Sequence, residues 1–211
     1  MPLDKDSLAK IRRLQQRFAD EITRIRQNPD LSDLGKRKAM AVARHRTVQE
    51  IDRIRDEATA TWQTRKAALE RRLFSIGSEP DHLTAALSLR DAMDRVSGVK
   101  TAHEAQLLMR RAIRTGDQEL ARATFMRAWD EAGSGLAGSG WGQVVRDYVT
   151  HVRSDLAGDV EELAEMQAAT TPAARMAERI ETGVPTPPEL AGLSSYDLAK
   201  FAAEAETGAS A

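Results

Sequence analysis

Cysteine is absent from the 211 residues, and aromatic residues make up only 4% of them. Without cysteine the chain has no disulfide, no thiolate zinc site and no cysteine nucleophile. No apolar run approaches the ~20 residues that a membrane-spanning helix needs. The first ten residues, MPLDKDSLAK, lack the apolar core of a signal peptide. We therefore expect a protein that is neither secreted nor embedded in a membrane.

The net charge of −1 conceals a gradient along the chain. Residues 1–76 carry a net charge of +7, residues 77–132 a net charge of −1 and residues 133–211 a net charge of −7. Such polarity indicates the kind of partner that a chain meets rather than its fold. The basic third suits nucleic acid or an acidic surface, including the acidic third of a neighbouring copy. The alternative, which the sequence favours equally, is that the gradient only reflects two helical faces of opposite charge that contact solvent.

Helical periodicity predicts a long hairpin at the N-terminus. Apolar residues recur at steps of three and four through residues 7–27, and Pro29 ends this first helix because proline disfavours helix in the residue before it. A second helix is predicted from Ser32 or Asp33 to about Ile76, with no proline inside it. The short connection makes the pair an antiparallel hairpin of the coiled-coil kind.

The two helices of this hairpin differ in length, so the first covers only about half of the second. Leaving the other half exposed is unfavourable by roughly 1.5–3 kcal/mol for each large apolar side chain. We expect it to pack on the later helices or on another subunit. This mismatch is the main sequence argument for an interaction protein. The candidate interface residues are Trp62, Leu69, Leu73, Phe74 and Ile76.

Breaks in the pattern divide the remaining chain into four segments. Residues 78–132 predict a three-helix unit, residues 133–140 a flexible Gly/Ser linker and residues 141–182 acidic helices. Residues 183–211 predict a Pro-rich segment and a short C-terminal helix. No segment alternates as a strand does. The predicted fold is all-α: a long antiparallel hairpin over residues 1–77, a small helical bundle and an acidic helical C-terminal region.

Motifs that resemble catalytic or binding sites occur in the chain, but the residues around them do not fit such sites. Residues 133–138 match GxGxxG, but the strand and the βαβ unit that a dinucleotide site needs are missing from the sequence pattern. Glu161, Glu162 and Glu165 have no histidine nearby and are best explained as a solvated helical face. We therefore expect no enzyme: no catalytic residue, no cofactor, no metal and no small-molecule substrate.

Arginine pairs along the hairpin leave one binding function open. Contact with phosphates requires the cations to lie on one side of the helices. Nucleic-acid binding by the basic hairpin is therefore the alternative function. The candidate contacts for phosphate or an acidic partner are Arg12, Arg13, Arg71 and Arg72.

The sequence IRQNPDLSDLGKRKA, residues 25–39, leads into a long charged helix. This pattern of helix, Pro/Asp-Leu-(Ser/Thr)-x-x-Gly-Lys-Arg turn and long Arg/Ala/Glu helix resembles small helical proteins encoded among the virion structural genes of phages of high-GC actinobacteria. The resemblance covers residues 5–76, and 24 arginines against 7 lysines fit a GC-rich genome.

The resemblance implies a non-enzymatic virion structural or assembly protein, such as a minor capsid, head-assembly or connector-region component. Such a protein acts through helix–helix contacts, with copies of itself in a homo-oligomer or with other virion proteins. Its expected location is the virion, or the host cytoplasm during assembly.

Overall fold

A computed structural model describes residues 3–75, 82–136, 138–194, 196, 198–201 and 203. The regular structure in these residues is helical, which confirms the predicted all-α class. Short 3-10 turns lie at Gly133–Gly135, Ser154–Leu156 and Pro188–Leu190. The α-helices are α1 (Lys5–Gln27), α2 (Asp33–Phe74), α3 (His82–Ser97), α4 (Ala102–Thr115), α5 (Gln118–Ala132), α6 (Gly140–His151), α7 (Ala157–Ala168) and α8 (Pro172–Glu181).

The chain folds into two compact units, and α2 contributes residues to both. Unit 1 consists of Met1–Trp62 and Pro172–Ala211, and unit 2 of Gln63–Thr171. These units differ from the segments expected from composition. The long second helix of the hairpin is divided between them, and the Gly/Ser stretch lies inside unit 2, where α5 packs directly on α6.

Unit 1 is built on the predicted antiparallel hairpin of α1 and the first part of α2. Near the start of α1, Ile11 shares a buried cluster with Ile51. Further along α1, Phe18 and Ile22 cluster with Met40, earlier in α2. The order of these contacts reverses between the two helices, so the helices run antiparallel. The stripe of apolar residues read from the sequence is the stripe that α1 buries.

The C-terminal segment completes the core of unit 1. Leu190 and Leu198 are buried in the same cluster as Phe18 and Ile22. Val184 packs against the buried residues at both ends of the hairpin. The Pro-rich stretch expected as a separate extended segment therefore lies along the hairpin and adds apolar contacts to it.

Unit 2 is built around α5, which packs on α3, α4 and α6. Four aromatic rings contact one another in its core. Phe125 stacks on Tyr148 with ring centroids 4.5 Å apart and on Phe74 at 5.8 Å, while Trp129 meets Phe74 edge-on at 5.8 Å. Aromatic pairs of this kind contribute beyond the area that they bury. Much of the small aromatic content of the chain is concentrated in this one core.

The core of unit 2 also includes apolar side chains from the second half of α2. Leu69 and Leu73 are 1% and 2% exposed, and Phe74 packs against the same cluster. The prediction of these three as interface residues is therefore corrected, because the later helices of the same chain cover them. Trp62 is half-buried. Ile76, the fifth candidate, lies outside the described residues.

Local signals set several helix boundaries. A capping box starts α4, where the Oγ1 of Thr101 accepts from the backbone N–H of Glu104 at 3.2 Å and Glu104 Oε2 accepts from the N–H of Thr101 at 3.1 Å. Apolar residues continue at helical spacing from Trp141 to Met166 in the sequence, but the structure divides them between α6 and α7. Arg153, with φ −137° and ψ 67°, leaves the helical region between them.

Candidate functional site

An exposed apolar stripe runs along α8. Ala173, Met176, Ala177 and Ile180 follow the i, i+3, i+4, i+7 spacing that places side chains on one face of a helix. All four are exposed, with Met176 and Ile180 at 59% and 72%. An amphipathic helix normally buries such a stripe against a core or a partner. This helix lies within the expected acidic helices of residues 141–182, and the spacing of its apolar residues in the sequence is itself a signal for the stripe.

The C-terminal end of α8 is fixed to the hairpin of unit 1. Arg12 and the carboxylate of Glu181 form a salt bridge with an N–O distance of 2.6 Å. Gln15 donates hydrogen bonds of 2.9 Å to the backbone carbonyls of Glu181 and Gly183. The next side chain, Thr182, is buried and accepts a hydrogen bond from Arg55. These contacts use the polar side and the end of α8 and leave the stripe exposed.

One flank of the stripe is basic. Arg179 lies next to Met176 at the edge of the stripe, Arg175 lies one helical turn earlier and further round the helix, and both are exposed. Neither arginine forms a salt bridge with any residue that the structure describes. The two flanks of the stripe therefore differ in charge. One carries two exposed cations, and the other ends at Glu181, whose carboxylate is bound by Arg12.

A second surface, in unit 2, is an apolar groove between α6 and α7 with a volume of about 500 Å³. Gly142 allows the chain before α6 to approach closely, since a Cβ there would lie 1.7 Å from the carbonyl oxygen of Leu136. Arg146 lies on the α6 side, and Glu161 and Glu165 lie on the α7 side. The apolar lining is formed by Leu136, Val145, Val149, Ala157, Val160, Ala164 and Ala168.

The three glutamates predicted as a solvated face of α7 divide into two roles. Glu162 forms a salt bridge with Arg65, with an N–O distance of 2.5 Å, and this contact lowers the pKa of the carboxyl group. Glu161 and Glu165 are exposed at the rim of the groove. In the described ranges of the chain, neither of them forms a salt bridge. The pair therefore presents two negative charges one helical turn apart.

Two of the four arginines predicted to contact phosphates are engaged within the chain. Arg12 binds Glu181, and Arg72 lies 3.1 Å from a carboxylate oxygen of Asp159. Arg71 is exposed at the end of α2. Arg12 and Arg72 therefore already have carboxylate partners within the folded chain, and their contact with phosphate or an acidic partner stays a prediction.

Arg13, the remaining candidate, lines a groove of about 360 Å³ between α1 and α2. Three more cations, on both helices, share this groove, and two carboxylates lie among them. The charge of the groove is therefore positive but mixed. Its ionic residues are Lys10, Arg13, Arg17, Arg53, Glu50 and Glu57.

Among the residues that the structure describes, no group of three or more histidine, aspartate or glutamate side chains is arranged to hold a metal ion. None of the described helices is both long enough and apolar enough to cross a bilayer. Comparison with protein-family models, with curated proteins and with solved structures finds no match to this chain.

Proposed function

We propose that this chain is a non-enzymatic structural or assembly protein of a phage particle, acting through helix–helix contacts. The observation that carries the proposal is the stripe of α8, where Met176 and Ile180 stand exposed one turn apart. Contiguous exposed apolar surface on a folded protein marks a site of protein interaction. The resemblance of residues 5–76 to virion proteins supplies the setting, as a minor capsid, head-assembly or connector-region component.

The size of the stripe favours assembly in many copies. A helix of ten residues is ~15 Å long, so a contact made by its one apolar face is smaller than the ~1,600 Å² of a standard stable interface. One such contact is weak. In a particle with many copies, however, each bound copy raises the effective concentration of the next contact, and weak contacts become stable together.

The experiment is to purify particles of the phage that encodes the chain on a density gradient and to quantify its peptides against the major capsid protein by mass spectrometry. Procapsids and mature particles are measured separately, so that a component lost on maturation is detected. We expect a fixed ratio to the capsid protein in at least one of these fractions. Absence from both, with normal particle yield after deletion of the gene, contradicts the proposal.

A matched pair of variants links the result to α8. Met176→Glu combined with Ile180→Glu places two charges on the stripe, and we expect it to lower incorporation about tenfold or more. Leu107→Glu changes an exposed apolar residue elsewhere, a leucine that is 52% exposed on α4 of unit 2. We expect this control to be incorporated like the wild type. Equal incorporation of the stripe variant and the control would show that α8 is not the contact.

Nucleic-acid binding is the second candidate, and the cations of the α1–α2 groove are the observation that favours it. Lys10, Arg13 and Arg17 follow one face of α1, and Arg53 faces them from α2. Binding through phosphates weakens steeply with salt, and each lost contact reduces the slope of log affinity against log salt by about one.

Arg13→Gln with Arg17→Gln tests this in titrations of duplex DNA, with Arg110→Gln on α4 as the control. Affinity that is unchanged by the double substitution excludes this groove as the binding site.

A further inference from the structure

We propose that α8 of one copy docks in the α6–α7 groove of a second copy, so that the copies join head to tail. The proposal rests on the proposed assembly function and names the partner of the apolar stripe. Both surfaces are present on the same chain: the stripe belongs to unit 1 and the groove to unit 2. Each copy can therefore offer a helix to one neighbour and a groove to another.

The apolar parts of the two surfaces match in chemistry and size. Met176 and Ile180 project as two large side chains flanked by the small Ala173 and Ala177. The wall that α7 contributes to the groove has three alanines, Ala157, Ala164 and Ala168. Small residues on facing helices allow the backbones to approach closely, while large ones fill the space between α6 and α7. A helix seated in an apolar groove is a recurrent mode of recognition.

The charges of the two surfaces match in sign and in spacing. Arg175 and Arg179 are four residues apart on the flank of the stripe, and Glu161 and Glu165 are four residues apart on the rim of the groove. Both pairs therefore repeat at about one helical turn. When the stripe of α8 lies in the groove and its basic flank lies along α7, Arg179 faces the acidic rim and Arg175, further round the helix, adds a second positive charge on the same side. The four side chains are exposed and form no salt bridge with other described residues.

The opposite wall of the groove fixes the orientation of the docked helix. Arg146 lies on α6, across the groove from Glu161 and Glu165. If α8 were turned so that its basic flank lay along α6, Arg175 and Arg179 would meet this third cation. Like charges brought together at an interface suppress the wrong arrangement. The groove therefore accepts α8 with its arginines towards α7 only.

This contact joins two different surfaces, so it does not close on itself in a two-fold dimer. A heterologous contact generates a ring when the rotation between copies closes and an open filament when it does not. The predicted products are oligomers larger than a dimer that form as the concentration rises. Both products suit a protein that acts in many copies.

The test is charge reversal followed by mixing. One variant reverses the helix, Arg175→Glu with Arg179→Glu, and the other reverses the groove, Glu161→Arg with Glu165→Arg. Each variant alone places like charges together, and we expect self-association, followed by sedimentation velocity over a range of concentrations, to weaken about tenfold or more. An equimolar mixture restores opposite charges at every contact, and we expect it to associate like the wild type.

The four substituted positions are exposed, and circular dichroism and the thermal midpoint verify that each variant remains folded. A mixture that stays dissociated, or variants that associate as well as the wild type, overturns the pairing of α8 with the groove. A wild-type chain that remains monomeric at every concentration also overturns it. None of these results decides the proposed function, which depends on incorporation into particles and its loss in the Met176→Glu, Ile180→Glu variant.

Discussion

Glu189 accepts two hydrogen bonds from the guanidinium of Arg26, at 2.6 Å and 3.0 Å, across 163 positions of the sequence. The backbone carbonyl of Glu189 also accepts from Nε of Arg37 at 3.0 Å. The most basic and the most acidic parts of the chain thus meet inside unit 1. The charge gradient is therefore satisfied in part within one copy.

Acid is predicted to weaken this attachment. The hydrogen bond from Arg26, together with the backbone N–H of Glu189, lowers the pKa of the Glu189 carboxyl group from its ordinary 4.5 to about 2. Because the pKa in the folded state is below that of the unfolded chain, the stabilisation is complete above pH 4.5 and is lost as the pH falls towards 2. We expect Glu189→Gln to lower the thermal midpoint at pH 6 and to have a smaller effect at pH 3.

The control for this measurement is Glu161→Gln, which removes an exposed carboxylate that is not part of a salt bridge among the described residues. We expect it to leave the thermal midpoint at pH 6 close to that of the wild type. An equal decrease for both variants would mean that the Arg26–Glu189 contact does not hold the C-terminal segment.

Phe125 is predicted to be the largest single contributor to the core of unit 2. Its side chain is 0% exposed and contacts the rings of Phe74, Trp129 and Tyr148. Truncation of a buried phenylalanine to alanine destabilises by ~3–5 kcal/mol, through lost transfer energy and the cavity left behind. Urea unfolding of Phe125→Ala measures this decrease. Leu107→Ala, on the surface of α4, is the matched control, with an expected change of about 0.5 kcal/mol or less.

Two glycines are predicted to respond to alanine in opposite directions. A Cβ at Gly142 would lie 1.7 Å from the carbonyl oxygen of Leu136, whereas a Cβ at Gly158 would have no heavy atom within 4 Å. We expect Gly142→Ala to destabilise unit 2 by about 1–3 kcal/mol, because the backbone must move. Gly158→Ala, inside α7, should stabilise by ~0.4–1 kcal/mol, since alanine restricts the unfolded chain and favours helix.

The free energy of unfolding in urea distinguishes the two glycines. A stability of Gly142→Ala equal to that of the wild type would show that the chain around Leu136 does not pack closely on α6. In that case the shape of the α6–α7 groove, to which Leu136 contributes, would also need revision.

Local sequence signals predicted the helices well, because periodicity and caps act within one turn. The end of α1 before Pro29 was predicted in this way, and side chains of Thr101 and Asp117 cap the starts of α4 and α5. The break of the stripe at Arg153 was not predicted, since no proline marks it. The two glycines in this stretch, Gly142 and Gly158, lie inside α6 and α7 rather than at the break.

Long-range pairing was the part that the sequence did not determine. From the length mismatch of the hairpin, we correctly expected other residues to bury Leu69 and Leu73. Periodicity does not tell whether those residues belong to the same chain or to a partner. The attachment of Glu189 to Arg26 was likewise not predicted, because opposite charges far apart in sequence have many alternative partners. The groove was missed because its two walls belong to different helices.

The central claim is that copies of this chain contact one another through α8 and the α6–α7 groove. Because the chain has no cysteine, single cysteines can be introduced without competing thiols. Copies with Arg179→Cys are mixed with copies with Glu165→Cys and treated with a short bismaleimide, and Leu107→Cys replaces the groove variant in the control. The account predicts a cross-linked heterodimer with Glu165→Cys and little with Leu107→Cys. Equal cross-linking in both mixtures, or none in either, would contradict it.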